Sequence, residues 1–528
     1  MMRKHLFPRA LPLILACLLC SASAARAGEF MDTRISFTLG DDNFFKDAGQ
    51  QLPDSPTLGM GDREGLELPF DNLDLATTGR ENELHLALYK KVDGILPGLV
   101  TEVAAAMQID MAALELEGND VNDVFSDDSS YIRLIYAIDA ARKGDRYLDL
   151  VLFPLSGDRF RVGYLYDLTW GGADMFPRKK GITPAFKLGG NHGMFYWWGG
   201  MKMVLAQTSL TEKANLQGTK QQTSEQETLY SALAGVGTQP IEGLSIDLSG
   251  GHIQMSENVL PDVAGEVVTA SGFSARLAYG RGLKVGLSSD LRLIRNDPEY
   301  LESLSQKPKY NPGGGLSWRV ALEGNAIAQV LGDTDVYGAT KRQWASASAL
   351  DVRLQHDYLR VNLTGVYRSL QFSLLSNPGL PTWSAFPEAA IIQPQIFAAI
   401  SADYHIPSLA LTPGIQAGVE LPGAVKTELW ATTAGSNAPP TLIGEHTLLV
   451  RSTGELVVLP QDKDRRAAFS ARILARWYPS DILTIIAFVL LAHDANSTVL
   501  VVNPDLTKSR KRQDPFRLGA GITAQARF

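Results

Sequence analysis

Apolar and polar side chains alternate with a period of two through most of this sequence. Near the C-terminus, Phe516 and Leu518 begin one face of such a segment, Arg517 and Gly519 begin the other, and the pattern continues to Phe528. Successive side chains of a β-strand point to opposite faces of the sheet. The pattern therefore predicts a strand with one apolar face and one polar face.

The same alternation recurs along the chain and predicts many more strands. Clear examples cover residues 35–39, 84–88, 103–111, 160–170, 283–293, 359–368 and 469–477. Many segments run about 10–14 residues, longer than the usual globular strand of about 5–6, and helical periodicity is nearly absent. With one strand and one connection per ~25 residues, the sequence predicts an all-β chain of about 18–20 strands.

Two architectures bury one face of such strands: a soluble sandwich and a transmembrane barrel. The chain has no linker rich in Pro, Ser or Gly that would divide it into sandwich domains. A closed barrel pairs every backbone group without leaving an edge. Aromatic residues near segment ends suit the two membrane interfaces. These residues are Tyr147, Trp170, Trp318, Trp344, Trp477, Phe195, Tyr196, Trp197 and Trp198. We therefore predict a single transmembrane antiparallel β-barrel.

Residues 1–27 have the pattern of a secretory signal peptide, which leaves residues 28–528 for the barrel. Basic residues open the segment, an apolar stretch follows, and Ala25 and Ala27 supply small residues for cleavage. The apolar stretch is about half the ~20 residues that a spanning helix needs. Both cysteines, Cys17 and Cys20, lie in this segment. The mature chain is therefore expected to contain no disulfide, no cysteine-ligated zinc and no cysteine nucleophile.

Connections of two lengths are predicted between the strands. Tight turns are expected at residues 156–158, 280–282, 356–357, 407–408 and 479–480. Long polar loops are expected at 46–79, 117–130, 207–228, 296–314, 376–389, 432–447 and 494–515. Bacterial barrels place short turns in the periplasm and long loops outside. Between residues 147 and 332 the short and long connections fall out of phase, which indicates a missed or an extra strand.

Charged residues collect on the polar faces and are predicted to line the lumen. One interpretation is a field that selects solutes by charge, with an anion bias from the arginine excess. The other is a ladder of ion pairs that fills a narrow or plugged lumen. The candidates are Arg159, Arg161, Asp167, Arg276, Lys284, Asp290, Arg292, Arg319, Glu323, Asp351, Arg353, Arg360, Arg368, Arg472, Arg476 and Arg517.

Composition excludes several other classes of protein. The 528 residues contain 49 Lys+Arg and 57 Asp+Glu, and 45% are hydrophobic, so neither wholesale disorder nor a basic nucleic-acid binder is expected. The acidic stretch at 117–128 lacks the glycine and the terminal Glu of a calcium loop and is predicted to be a solvated loop. No nucleophile–base pattern is found. We predict no enzyme, no metal and no cofactor.

Two features resemble known families. Ending on Phe528 after an amphipathic strand resembles the C-terminal signal that the barrel assembly machinery of bacterial outer membranes reads. The motifs FDNLD at 70–74, REN at 80–82, YKK at 89–91, DRFRVGYLYD at 158–167, WGG at 170–172 and FPR at 176–178 resemble an uncharacterised family of myxobacterial outer-membrane barrels. The resemblance is densest over about residues 30–205 and implies an outer-membrane location without supplying any functional residue.

The sequence leaves two functions open. A porin-like channel for small hydrophilic solutes fits the charged polar faces. A structural barrel of an envelope-spanning complex, for example in gliding motility or export, would need no free conductance. Both imply outer-membrane lipid and the barrel assembly machinery as partners, and the second adds partners within the envelope. A soluble, secreted β protein remains a third alternative, which would be extracted without detergent.

Overall fold

The computed structural model describes the chain over a set of ranges that contain its strands. The described residues are 29–41, 44–45, 59–60, 83–93, 96–110, 125–127, 130–138, 146–157, 160–164, 168–172, 175, 183–214, 220–257, 266–283, 310–375, 384–431, 441–450, 456–460, 463–502, 508–512 and 514–527. The predicted signal peptide at 1–27 and the predicted assembly signal at Phe528 lie outside these residues.

Strands account for most of the described residues. In chain order they are β1 (Glu29–Asp41), β2 (Gly59–Met60), β3 (Glu83–Asp93), β4 (Leu99–Asp110), β5 (Phe125–Asp127), β6 (Tyr131–Ala137), β7 (Arg146–Phe153), β8 (Ala185–His192), β9 (Phe195–Ala214), β10 (Lys220–Thr238), β11 (Leu244–Glu257), β12 (Val267–Arg281), β13 (Ser317–Gly332), β14 (Thr340–His356), β15 (Leu359–Arg368), β16 (Ile391–Gln393), β17 (Gln395–Tyr404), β18 (Leu411–Leu421), β19 (Gly423–Ala431), β20 (Thr441–Val450), β21 (Leu456–Val458), β22 (Ala468–Trp477), β23 (Leu483–Asp494), β24 (Thr498–Val502), β25 (Lys508–Arg512) and β26 (Phe516–Arg527).

Helices are short where the chain is described. They are the α-helix α1 (Leu370–Leu374) and a 3-10 turn at Pro407–Leu409. No helix among these residues is long and apolar enough to cross a membrane.

Twenty of the described strands form one antiparallel sheet that closes on itself. Two of them, β2 and β5, are only two and three residues long, which leaves eighteen wall strands. Each wall strand pairs with the next wall strand along the chain, and β26 pairs with β1 from Arg527 opposite Arg34 to Ala520 opposite Asp41. The predicted all-β antiparallel barrel of about 18–20 strands is therefore confirmed.

The wall is apolar outside and polar inside, the reverse of a soluble protein. On the outer face, Ile473 is 64% exposed and Ile522 is 53% exposed. On the inner face, Glu323 and Asp351 are each 1% exposed. A soluble sandwich would bury the first pair and leave the second pair in water. This arrangement matches a barrel whose outer face contacts lipid.

Most long connections lie at one end of the barrel, and at the other end the connections are short with one exception. We name the two ends of the barrel the short-turn end and the long-loop end. The exception is the connection at 282–316, which lies at the short-turn end. Strands β12 and β13 pair directly, from Arg281 opposite Trp318 onward. The predicted tight turn at 280–282 is therefore wrong, and the predicted strand at 283–293 does not stand in the wall between them. Residues 284–309 lie outside the described residues.

The predicted strand at 160–170 is also wrong. Its described residues are not part of the wall, and their only ladder contact is a bridge between Val162 and Trp170. Phe160, Val162 and Leu168 are completely buried, although the alternation predicted that they face lipid. Periodicity alone cannot distinguish a wall strand from a segment folded inside the barrel, because both bury one face. The two errors together explain why the predicted connections fell out of phase.

Some predicted loops contain strands. Strands β9 and β10 pair from Ala214 opposite Lys220 to Phe195 opposite Thr238. Most of the predicted loop at 207–228 is therefore strand. The predicted loops at 376–389, 432–447 and 494–515 border or contain short strands. These strands form two small sheets, one of β16, β19, β20 and β21 and one of β24 and β25. The four-stranded sheet has apolar clusters of its own, one of Ala424, Leu449, Val457 and Leu459 and one that joins Val425 and Val450 to Leu370.

Candidate functional site: the interior of the barrel

The connection between β7 and β8, residues 154–184, folds into the barrel, and we name it the inward segment. Its two ends are tied to each other, because Gly157 N donates to Thr183 O (2.7 Å) and Thr183 N donates to Leu155 O (2.8 Å). Its described residues contact inward-facing side chains of β9–β13. The segment therefore covers the inner wall on that side of the lumen.

Backbone groups of the inward segment are bound by polar side chains of the wall. Glu323 Oε1 accepts a hydrogen bond from Tyr164 N (2.6 Å), and Asn325 Nδ2 donates to Leu168 O (2.8 Å). Lys202 Nζ donates to Gly157 O (2.9 Å) and also to the carbonyl of Gly171. Buried backbone groups need such partners because water cannot reach them. These side chains therefore fix the position of the segment.

Aromatic rings fill the space around these polar anchors. Phe160 stacks on Phe153 with centroids 6.4 Å apart and meets Trp198 edge-on at 5.5 Å. The guanidinium of Arg276 lies 3.5 Å from the centroid of the Tyr164 ring, a cation–π contact. We name this side of the lumen, the inner face of β9–β13 with the inward segment on it, the filled region.

Buried ion pairs complete the filled region and its neighbours. Arg319 Nη2 lies 3.1 Å from Asp351 Oδ1, and Arg276 Nη1 lies 3.5 Å from Asp247 Oδ2. Further along the wall, on β4, β6 and β7, Arg133 lies between two carboxylates, 2.8 Å from Asp149 and 3.4 Å from Glu102. The charges here balance each other at short range, which is the condition for burying them.

The inner faces of β14, β15, β17, β18 and β22 near the short-turn end are different, and we name them the vestibule. A register row of hydrogen-bonding side chains crosses these strands at one height. Within the row, Asn362 Nδ2 donates to Ser401 Oγ (3.3 Å) and Arg472 Nε donates to Gln416 Oε1 (2.8 Å). The row consists of Arg353, Asn362, Ser401, Gln416 and Arg472.

Three charged side chains lie closer to the short-turn end than this row, and we name them the triad: Arg360, Asp403 and Arg476. Arg360 binds both carboxylate oxygens of Asp403, at 2.9 Å through Nε and 2.6 Å through Nη2. Arg476 Nη1 lies 3.6 Å from the same carboxylate. Two guanidinium groups thus share one carboxylate, and all three side chains are only partly buried. This leaves a net positive charge facing the lumen.

Tyr310, from the connection at 282–316, caps this triad. Its hydroxyl donates to Asp403 Oδ1 (3.4 Å), and its ring stacks on His405 with centroids 4.8 Å apart. The guanidinium of Arg360 lies 5.2 Å from the same ring. Burial raises the pKa of Tyr310 to about 12. The hydroxyl therefore remains a hydrogen-bond donor at every physiological pH.

The long-loop side of the vestibule is covered by helix α1 and the four-stranded sheet. Leu370 of the helix packs with Val425 and Val450 of that sheet. Beneath this cover, Arg368 Nε donates to Gln395 Oε1 (2.7 Å), and the Gln395 amide in turn donates to Glu420. Helix α1 and the four-stranded sheet therefore lie on the long-loop side of the vestibule.

The charge count of the vestibule strands favours anions. The described inward positions of β15, β17, β18 and β22 hold four arginines and two carboxylates. Guanidinium groups bind carboxylates and phosphates through paired hydrogen bonds. The arrangement can attract and orient a small anion, whereas the described residues hold no cluster of three or more His, Cys, Asp or Glu placed to bind a metal. The charged residues are Arg360, Arg368, Arg472, Arg476, Asp403 and Glu420.

The structure separates the predicted lumen residues into three groups. Arg161, Arg276, Arg319, Glu323, Asp351 and Arg472 are buried in the interior, Arg161 on the inward segment rather than on a wall strand. Arg353, Arg360, Arg368, Arg476 and Arg517 face inward and are partly exposed. Arg159, Asp167, Lys284, Asp290 and Arg292 lie outside the described residues.

The sequence prediction omitted residues that hold the interior together. Lys202, Asp403 and Glu420 lie at inward positions of β9, β17 and β18. Continuing the alternation from neighbouring apolar residues could have assigned all three to the polar face. Tyr310 could not have been found this way, because it belongs to a connection and reaches the lumen only through the fold.

Similarity to known proteins is found among solved structures. No protein-family model matches the sequence, and no curated protein matches it. Solved structures similar to this chain include OmpT, an outer membrane protein of Vibrio cholerae, with 9% identity, 96% of this chain and 99% of that chain covered, and a TM-score of 0.33. The outer membrane protein opdK from Pseudomonas aeruginosa has 9% identity, 94% and 98% coverage, and a TM-score of 0.39.

Wzi from Escherichia coli, an outer membrane protein involved in group 1 capsule assembly and a carbohydrate-binding β-barrel, has 9% identity, 98% and 88% coverage, and a TM-score of 0.35. All three of these proteins are outer membrane proteins of bacteria. The resemblance to a myxobacterial family remains a prediction, and so does the signal peptide.

Proposed function

We propose that the protein is a porin-like channel of the bacterial outer membrane that passes small hydrophilic solutes and favours anions. The observation that carries the proposal is the vestibule, in which Arg360 and Arg476 share the single carboxylate of Asp403. Barrels of 16–18 strands are wide enough to enclose an aqueous channel. Charged rings in such a channel select permeating ions.

The barrel geometry also supports an orientation. Outer-membrane barrels keep short turns in the periplasm and long loops outside. The short-turn end, with the vestibule and Tyr310, would therefore face the periplasm. The apolar outer wall supports outer-membrane lipid as the first partner, and the barrel assembly machinery would insert the chain.

Planar bilayer recording tests the proposal. The purified full-length protein should give stepwise conductance, and a salt gradient should give a reversal potential that indicates preference for the anion. Replacing both Arg360→Gln and Arg476→Gln should shift that potential towards cation preference, because Asp403 then faces the lumen without a guanidinium partner. Arg281→Gln is the matched control, since Arg281 lies exposed at the short-turn end but on the outer face.

Two results would contradict the proposal. The first is the absence of conductance steps from protein that shows heat-modifiable migration on gels and is therefore folded. The second is an equal shift of reversal potential in the Arg281→Gln control, which would assign the effect to general surface charge.

The filled region favours a second candidate, a structural barrel of an envelope complex without free conductance. The inward segment buries the inner face of β9–β13, as Ile327 and Ile253 show by their complete burial. A folded protein that does not conduct and co-purifies with an envelope partner would support this candidate over the channel.

A further inference from the structure

A basic hairpin lies at the long-loop end, beside the outer edge of the apolar wall. The hairpin consists of β24 and β25, and the sequence of β25 is Lys-Ser-Arg-Lys-Arg, ending at Arg512. Phe516, which opens β26, is 51% exposed on the outer face. Arg512 precedes Phe516 by four positions, which is at most about 14 Å of chain. The hairpin therefore lies close to the level at which the lipid-facing surface ends.

Two arginines of the hairpin share one face and are held in place. Arg512 pairs in register with Thr498, and Arg510 pairs with Leu500, two positions further along. Arg510 Nη1 donates to Thr498 Oγ1 (3.4 Å), and Arg512 Nη2 donates to the backbone carbonyl of Asp464 (3.0 Å). This face is therefore turned towards the segment that precedes β22.

A third arginine approaches from that segment. Arg466 is fixed by reciprocal hydrogen bonds with Asn496, from Arg466 N to Asn496 Oδ1 (2.7 Å) and from Asn496 Nδ2 to Arg466 O (2.6 Å). Burial and the nearby positive charge of Arg466 lower the pKa of Arg512. Arg466 thus lies on a connection that binds the hairpin through both Asn496 and Arg512.

The described carboxylates near the arginines bind other groups. Asp464 forms an ion pair with Lys426. Asp514 accepts the backbone N–H of Phe516 (3.0 Å), and Asp494 accepts the N–H of Asn496 (2.9 Å). In the described part of the chain, none of the three arginines has a carboxylate partner, and Arg512 Nε is buried without a hydrogen-bond partner.

Neighbouring guanidinium groups repel each other, and an anion that binds between them removes this repulsion. Their planar donors match the tetrahedral oxygens of a phosphate, which accepts several hydrogen bonds at once. We propose that Arg466, Arg510 and Arg512 form a binding site for a phosphate group carried by a lipid headgroup of the outer leaflet. The position of the hairpin next to Phe516 is the reason for assigning a lipid phosphate, since aromatic belts mark the headgroup level.

This inference rests on the membrane placement given under the proposed function and is independent of whether the barrel conducts. Failure of bilayer recording would leave the phosphate site standing. Conversely, a protein that conducts ions but does not bind the lipid would contradict the phosphate site and leave the proposed channel function standing.

Calorimetric titration of the purified full chain in detergent tests the site with three titrants. They are diphosphorylated lipid A in mixed micelles, the same lipid without its phosphates, and inorganic pyrophosphate. We expect binding of the diphosphorylated lipid only. The double variant Arg510→Gln/Arg512→Gln should weaken it by about tenfold or more, as expected for lost charge-assisted hydrogen bonds. Arg466→Gln, tested alone, should weaken it in the same direction.

Arg342→Gln is the matched control, because Arg342 is exposed on the outer face of β14 at the same end of the barrel and should leave binding unchanged. Equal loss in this control would reduce the effect to surface charge and overturn the site. Equally tight binding of free pyrophosphate would overturn the lipid assignment, and so would equal binding of the lipid without phosphates. In titrant-free detergent, the double variant should keep the heat-modifiable gel migration of the folded protein, which separates lost binding from lost folding.

Discussion

The filled region and the vestibule are built from the same alternating strands, yet their charged side chains are in opposite states. In the filled region, the Arg319 side chain is 3% exposed beside Asp351 at 1%. In the vestibule, the Arg360 side chain is 24% exposed beside Asp403 at 13%. The strand pattern only turns these residues inward. Where the inward segment covers them, they stabilise the fold. Where no segment covers them, they can face a solute.

This difference has an energetic consequence. A buried charge must be paired, since removing one partner leaves the other without compensation. A partly exposed charge is screened by water and ions, so its pairing contributes less to stability. We therefore expect the filled region to respond to mutation through stability and the vestibule to respond through selectivity.

The largest effect should come from removing the inward segment. Replacing residues 158–182 with a short Gly-Ser linker keeps Gly157 and Thr183, whose backbone groups already bond to each other. The single-channel conductance should rise several-fold, because the inner wall of β9–β13 would then line an aqueous space. Planar bilayer recording measures this directly. An unchanged conductance in correctly folded protein would mean that the segment does not obstruct the lumen.

Arg319→Gln and Arg360→Gln test the comparison as a matched pair. Arg319→Gln should lower the free energy of unfolding by about 3 kcal/mol, the lower end of the range for breaking a buried pair, because Arg353 still lies 3.3 Å from Asp351. Its ion selectivity should stay the same. Arg360→Gln should shift the reversal potential and change stability less. Urea unfolding in detergent micelles and bilayer recording give the two readouts, and a reversed outcome would refute the distinction.

Lys202→Met should have a somewhat smaller effect on stability. Methionine keeps the apolar contact with the Phe160 ring, over which Lys202 Nζ lies at 5.5 Å. However, the carbonyls of Gly157 and Gly171 lose their donor, which should cost about 2 kcal/mol. The midpoint of urea unfolding should fall accordingly. Lys341→Met is the control, since Lys341 pairs with Asp335 at the exposed rim and its loss should change little.

The sequence was sufficient to predict the wall but not what fills it. Alternation assigned β15 and β26 to the correct faces, because each side chain of a wall strand has only two directions to take. The same rule failed for Phe160 and Val162, because a segment inside a barrel meets apolar surroundings on several sides. Tyr310 and the triad around Asp403 depend on contacts between distant parts of the chain. No local pattern encodes such contacts.

Tyr310→Phe should give the smallest effect, and it tests whether the cap at the short-turn end matters to the vestibule. The change removes only the hydroxyl that donates to Asp403 at 3.4 Å and keeps the ring on His405. Stability should fall by about 1 kcal/mol or less, as for a single hydrogen bond. Asp403 then has one donor fewer, so its negative charge is less neutralised and anion preference should decrease slightly. Because the Tyr310 pKa is about 12, this difference between Tyr310→Phe and the unmodified protein should stay constant from pH 6 to pH 9 in reversal-potential measurements. A difference that vanished within that range would contradict the role of the Tyr310 hydroxyl as a donor that does not titrate there.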